Sequence, residues 1–273
     1  MITNSRRLSP WAIPLLIFAT LLFVTPVYLM FKVSFSSPAE VLTAHPTFWF
    51  KEFTLKHWQQ VLASGNLTAP LLKSLSVATM ATLLALLICT PGAYVISRMR
   101  PAIKYTVVLA LFFTRMFPDV GIALPIAVTF IKWNLLDTQF GLVLAHLTKI
   151  LPFIAWVLVG TFDTIPDDLE KAAWVDGANR IQTLIKVILP LAAPGMAVAA
   201  MLVWLDSWNE FTFSLYLTLG KNTLPLQTYY YVVRGNWFQA AAYSGLLTVP
   251  VLFVTMLLQR YLRSGYLAGS LKG

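Results

Sequence analysis

Apolar residues run along this chain in long blocks, not in the short alternations of a water-soluble core. Six blocks stand out, over 11–31, 72–97, 105–131, 141–162, 188–219 and 240–259. Each reaches the roughly 20 residues that a helix needs to cross bilayer hydrocarbon. Helices are required there, because each unpaired backbone group in lipid costs several kcal/mol. Pro14, Pro26, Pro91, Pro118, Pro125, Pro194 and Pro250 lie inside or beside the blocks. Such kinks are tolerated where neighbouring helices satisfy the freed backbone, so the pattern predicts an all-α membrane bundle of six transmembrane helices with a lined cavity. Two less apolar stretches, 32–70 and 220–239, fall on one side of the membrane, and 164–187 falls on the other. Within the first, FTLKHWQQVL places Leu55, Trp58 and Leu62 at helical spacing and predicts a short amphipathic helix. No linker or low-complexity stretch interrupts the chain, which reads as one domain over 1–273.

Composition agrees: 58% of residues are hydrophobic and 11% charged, against about a quarter charged in soluble domains. The net charge of +9 matters through its placement. Arg6 and Arg7 precede the first block, Arg98, Arg100 and Lys104 follow the second, and Arg260, Arg263 and Lys272 close the chain. The short connection between blocks three and four carries Lys132 and Asp137, while Lys51, Lys56, Lys221 and Arg234 sit in long loops that weigh little on orientation. The positive-inside rule therefore puts both termini and 164–187 in the cytoplasm. A nucleic-acid surface would need a basic stripe interleaved with aromatics on an aqueous face, and the sequence has none. Residues 1–31 are basic then apolar, but the apolar run is too long for a signal peptide and lacks a small-residue cleavage site. Cys89 is the single cysteine, so no disulfide or thiol–metal cluster forms within one chain. His45, His57 and His146 are too scattered to predict a metal site.

The most charged internal segment is TIPDDLEKAAWVDGANRIQTLIKVILPLAAPG, residues 164–195. Pro166 suits a first helical turn, and Asp167, Asp168 and Glu170 add negative charge where the helix dipole favours it. Gly177 is a good stop, since glycine readily takes positive φ. Asn179 then caps a second helix with Gln182 three residues on, the spacing of a capping box. Ile181, Leu184, Ile185 and Ile188 predict its apolar stripe. The segment reads as a helix–turn–helix whose small residues Ala172, Ala173, Gly177 and Ala178 would let another protein approach closely. On the residues alone, a solvated loop with ordinary caps explains it equally well.

The run KAAWVDGANRIQTLIKVILP resembles the EAA loop of permeases from binding-protein-dependent ATP-binding-cassette importers. Ala172, Ala173, Gly177, Leu189 and Pro190 match that pattern at its spacing, with Val187 at an isoleucine position. Lys171 departs at the glutamate position, with Glu170 one residue earlier. FTLKHWQQVL, WNEF at 208–211 and the ending LRSGYLAGSLKG are similar to the maltose-permease-like branch, so the resemblance spans the whole chain. It implies a type I importer permease in a bacterial or archaeal cytoplasmic membrane that carries a sugar, polyol or related solute. The implied partners are a second permease subunit in a heterodimer, two copies of an ATP-binding subunit, an extracytoplasmic solute-binding protein and the lipid bilayer. The implied ATPase contact, a coupling helix, comprises Glu170, Lys171, Ala172, Ala173, Asp176, Gly177 and Ala178. Loop 220–239 would reach the binding protein through Thr223, Gln227, Tyr229 and Tyr230. No cofactor is expected on this chain, with ATP and Mg used by the partner subunits. The sequence contains no G-x-x-x-x-G-K-[ST] phosphate cradle, no H-E-x-x-H and no G-x-S-x-G, so it reads as no enzyme by itself.

Polar residues inside the blocks are the candidates for a solute pathway, because membrane depth makes them costly. Arg115 and Asp119 fall one helical turn apart and either pair with each other or line the path. LDSWNEFTF gathers Asp206, Ser207, Trp208, Asn209, Glu210 and Thr212. Asn209 and Glu210 could bind hydroxyls and Trp208 could stack on a sugar ring. These residues serve equally as interhelical hydrogen-bonding groups. His146, Thr148 and Lys149 offer further polar groups in block four. The alternative function is a stand-alone ion-coupled secondary transporter, which predicts internal repeats with broken half-helices. No convincing repeat relates 1–135 to 136–273.

Overall fold

The computed structural model describes residues 11–269, and every described segment of regular structure is helical. Arg6, Arg7 and Lys272, together with the side chains of Arg260 and Arg263, lie outside the described residues. The chain packs as two compact units, divided at residues 67/68, 227/228 and 248/249.

The first unit holds α1 (Ala12–Phe35), α2 (Pro38–Val41) and α3 (Lys56–Ala63), with residues 228–248. After α1 the chain reverses: Ser36 bridges Phe53 antiparallel, and the Thr54 amide donates to the Phe35 carbonyl at 2.8 Å. The Phe35 ring stacks on both Phe53 and Trp58, each at 5.2 Å. Lys32 and Glu40 form a buried ion pair at 2.9 Å. Burying two charges is costly unless hydrogen bonds satisfy the remaining lone pairs. Glu40 meets that condition by accepting from the Thr47 hydroxyl and the Glu52 amide, and the Lys32 ammonium holds its carboxyl down to about 2.

The predicted helix in FTLKHWQQVL forms as α3, and of its three apolar positions only Trp58 packs inward. Leu55 and Leu62 are exposed, and the buried residues are His57 and Val61. Polar and stacking contacts turn the helix. Trp58 Nε1 donates to Ser34 Oγ, His57 hydrogen-bonds the Ser36 carbonyl oxygen, and its ring stacks on Phe238 at 4.8 Å. Gly245 makes room for Trp58, since a Cβ there would lie 2.9 Å from the indole.

The second unit contains α4 (Thr68–Ser97), α5 (Pro101–Phe113), α6 (Asp119–Lys132), α7 (Gln139–Asp163), α8 (Asp168–Val175), α9 (Arg180–Thr183), α10 (Leu189–Trp208) and α11 (Thr212–Leu217). The helices α12 (Leu224–Val233) and α13 (Trp237–Gly269) each contribute residues to both units. The core lies where α4, α7 and α10 meet. Helix α4 presents Ala78, Ala81, Ala85, Cys89 and Ala93 as a stripe of small buried residues. Small faces let membrane helices approach closely and gain dispersion contact. Helix α7 fills that approach with Leu142, Ile150, Ile154, Leu158 and Phe162, all buried. Its N-terminus is capped by Thr138, whose Oγ1 accepts from the Gly141 amide at 3.0 Å.

Among the described residues, five helices are long and apolar enough to cross a membrane, or six if the bent pair 101–132 counts as one span. That pair corrects the prediction of a continuous helix over 105–131. A short 3₁₀ turn (Thr114–Met116) ends α5, and α6 leaves at 83°. Pro118 causes the break. Proline cannot donate a backbone hydrogen bond and pushes its predecessor out of the helical region, as Phe117 shows with φ −77 and ψ 131. Block five is likewise interrupted, because α10 stops at Trp208 and α11 begins at Thr212.

Candidate functional site

Two clusters hold the polar side chains singled out in the sequence. The first is the 164–188 segment. Gly177 takes φ +85 and ends α8, and Asn179 and Gln182 form the expected reciprocal capping box at the start of α9. The predicted apolar stripe holds in part: Ile188 is buried and Leu184 packs against the core, whereas Ile181 and Ile185 are exposed and Thr183 is buried in their place. Residues 184–188 form a π-turn, which inserts an extra residue into the helical repeat and rotates everything before it.

Glu170 is the chief surprise of this segment. Its side chain points inward and is buried, with Oε1 2.6 Å from Arg98 Nε and Oε2 accepting from the Tyr94 hydroxyl at 2.8 Å. Arg98 also donates to the carbonyls of Phe162 and Ile165 at 3.2 Å each and reaches Asp167 at 3.2 Å. One guanidinium thus ties the C-terminal end of α4, the end of α7 and the start of α8 together. Lys171 faces out and pairs with Asp168 at 2.8 Å, which raises the lysine's pKa and lowers the carboxyl's. Ala172, Asp176 and Gly177 are exposed, Ala178 is half-buried and Ala173 is buried. Beside them Trp174 is 44% exposed and Val175 88%. Sequence reasoning passed over this pair, although large apolar residues beside Asp176 and Gly177 at a polar loop tip were a readable signal. It also missed Arg98, which it counted only as a topological charge.

The second cluster lies where the α5–α6 break meets α7 and α10. Of the two roles open to Arg115 and Asp119, pairing with each other does not occur, because the break at Pro118 puts the two residues on different helices. Asp119 instead pairs with Lys149 Nζ at 3.3 Å. Asp206 lies between the two cations, 3.7 Å from Lys149 and 4.0 Å from Arg115. Two cations and two carboxylates therefore balance within one cluster. A cleft of about 360 Å³ is lined by Arg115, Asp119, Thr148 and Lys149, among others. A second, of about 390 Å³, is lined by Arg115, Phe153, Leu202, Leu205, Asp206 and Asn209. Of the predicted pathway residues, Arg115, Asp119 and Asn209 line these clefts. Trp208 and Glu210 do not. Trp208 is buried and stacks on Trp204 at 5.1 Å. Glu210 is buried, accepts from the Phe213 and Ser214 amides at 2.7 and 3.1 Å, and so caps the first turn of α11. His146 joins this buried set: Nδ1 is 2.7 Å from Ser207 Oγ, and Nε2 lies 3.2 Å from Glu210 without aligning as a hydrogen bond. These groups fasten α7, α10 and α11 to one another.

The stretch 220–239 is not an open loop, since ten of its residues form α12. Thr223 is buried just before that helix, and Gln227 accepts from the Asn222 side chain at 2.7 Å. Further along, in the first unit, the rings of Tyr229 and Tyr230 lie 5.9 Å apart, and Tyr229 is exposed.

A membrane bundle with paired charges at an interhelical cleft and a polar helix–turn–helix at one end has the build of a transport subunit. Residues 89–267 match the family described as "Binding-protein-dependent transport system inner membrane component". The chain belongs to that family. It is 29% identical to an inner membrane ABC transporter permease protein of Escherichia coli, covering 100% of both chains. It is 32% identical to the trehalose/maltose transport system permease protein of Thermococcus litoralis, covering 91% of each. Among solved structures, a bacterial ABC transporter involved in importing the acidic polysaccharide alginate is 24% identical and covers 96% of this chain and 99% of its own, with a TM-score of 0.75. The fold is thus that of an ABC importer permease. This is a multi-pass membrane component of a transport system, not an enzyme, and it works with a binding protein and a separate ATPase subunit. Nothing supports the ion-coupled secondary transporter.

Proposed function

We propose that this chain is one permease subunit of an importer for a sugar, polyol or related small solute, paired with a second, different permease and two ATP-binding subunits. The relatives named for disaccharide transport support the solute class. Both termini and the 164–187 segment lie in the cytoplasm, and ATP and Mg act on the partner ATPase. The carrying observation is the build of 164–178. Glu170 and Arg98 anchor the segment inward, while Lys171, Ala172, Trp174, Val175, Asp176 and Gly177 face out. Apolar side chains at a charged tip are a docking face, and a rigid anchor behind it transmits displacement. The face engages the ATPase, and the anchor carries its motion into α4 and α7. Arg115, Asp119, Asn209, Lys149 and Asp206 line the solute path, and Tyr229 and Tyr230 support contact with the binding protein.

Val175→Asp tests the docking role. It puts a charge where an apolar contact is needed but disturbs no packing in the permease, because Val175 is 88% exposed. In proteoliposomes holding the assembled importer, uptake should fall at least tenfold and binding-protein-stimulated ATP hydrolysis should be lost, with normal amounts of permease in the membrane. Gly177→Val should act the same way, since a β-branched residue is strained at φ +85. Uptake unchanged in both variants would remove the docking role.

A further inference from the structure

Residues 47–53, TFWFKEF, expose a dense group of aromatic side chains for which the importer reading has no use. Trp49 is 80% exposed, Phe48 65%, Phe53 63% and Phe50 42%. We propose that this segment is a membrane anchor, seated in the interfacial layer of the bilayer beside the C-terminal end of α1. The inference rests on α1 crossing the membrane and not on the identity of the solute.

The depth follows from the structure of the first unit. The apolar run from Trp11 to Phe31 is long enough, at 1.5 Å per residue, to span about 30 Å of hydrocarbon. Lys32 is the first charge after it and marks the boundary. Beyond α1 the chain turns back. Ser36 bridges Phe53 antiparallel, which fixes the 53 end of the segment beside the end of α1. The Tyr28 hydroxyl closes the arrangement by donating to the Phe48 carbonyl. Tyr28 lies one helical turn inside the boundary, so Phe48 and Trp49 are held at the level of the last turns of α1. They do not project into the aqueous phase.

Chemistry selects lipid as the occupant. Trp and Tyr favour the headgroup level, where a ring can be half apolar and half hydrated. Lys51, exposed within the same seven residues, can extend its ammonium to a lipid phosphate. The flank of α1 is continuous with the patch and itself apolar: Leu21, Leu22, Val24 and Leu29 are all exposed. The patch thus continues an apolar surface at the depth of the last turns of α1.

The test uses the assembled importer in lipid nanodiscs. Trp49→Cys in a Cys89→Ala background is labelled with a nitroxide, and its accessibility to oxygen and to a water-soluble nickel chelate is compared by power saturation. The expected result is oxygen access well above nickel access, at a depth within about 10 Å of the headgroup boundary. Nickel access equal to or above oxygen access would place the segment in water and overturn the anchor. Low access to both would mean that protein covers it, which equally overturns it. A second measurement avoids the cysteine background. Interfacially brominated lipids should quench the intrinsic fluorescence of the wild-type importer more than that of the Trp49→Phe variant. Equal quenching in the two would also reject the proposal.

Discussion

Arg98 shows how much one side chain can decide. Its guanidinium spends its donors on Glu170, two backbone carbonyls and Asp167, so no smaller residue could replace it. Arg98→Ala leaves the buried Glu170 carboxylate with only the Tyr94 hydroxyl. Breaking a buried pair from one side costs roughly 2–4 kcal/mol, discounted here because Arg98 is partly exposed. Lys104→Ala also removes an ion pair, to Asp163, whose carboxylate is open to water, and should cost below about 1 kcal/mol. Thermal melting of the purified importer in detergent should therefore separate the two, and equal melting shifts would mean that Arg98 is no anchor. The Lys32–Glu40 pair gives a pH-dependent case. Glu40 has its pKa lowered from 4.5 to about 2, so the pair contributes fully above pH 4.5 and is lost as pH falls from there toward 2. The melting gap between wild type and Glu40→Gln should be large at pH 6 and shrink at pH 3. A gap independent of pH would show that the ion pair does not set it.

Among the elements, local signals and long-range packing divide the outcome. The Asn179–Gln182 capping box and the Gly177 stop were legible because capping needs only residues within one turn. The buried stripe of 181–188 was legible only in part. Its phase depends on a π-turn that no residue there encodes alone, and the rotation of α3 is likewise set at a distance, by contacts with Ser34 and Phe238. Close approach is equally invisible in a linear pattern. Gly195 on α10 faces Thr161 on α7, and an added Cβ would sit 2.3 Å from Thr161 Cγ2 and 3.1 Å from its Cβ. Thr161 is β-branched and donates to the Val157 carbonyl, so it has little freedom to move aside. Gly195→Ala should destabilise by about 1–3 kcal/mol through overpacking. Adding Thr161→Ala should recover part of the loss, because two clashing atoms disappear and only the 3.1 Å contact remains. Additive behaviour of the two changes would show that α7 and α10 do not meet through this pair.

Over the whole molecule, charge balance in the cleft is the property on which the proposed solute path depends. Arg115, Lys149, Asp119 and Asp206 sum to zero, which suits passage of an uncharged solute without a trapped ion at membrane depth. Asp119→Asn or Lys149→Met alone leaves one charge uncompensated and should reduce uptake several-fold. The double variant should transport better than either single one, because the pair is removed together. If the double variant is as poor as the sum of both defects, the residues act independently and not as a balanced unit.

The sequence by itself determined the class of this protein. Block length, the positions of the cations and the KAAWVDGANR segment are local or additive properties, and lipid leaves a 20-residue apolar block no structure but helix. What only the tertiary structure decided is which polar groups meet. Arg115 and Asp119 are four residues apart, yet Pro118 sends them to different partners on α7 and α10. Glu170 and Arg98 are 72 residues apart, yet they share one buried pair. Trp208, Asn209 and Glu210 are consecutive, but the end of α10 exposes the middle one and buries its neighbours. A burial or pairing of this kind is a relation between helices, fixed only when they pack, so no single stretch of sequence carries it.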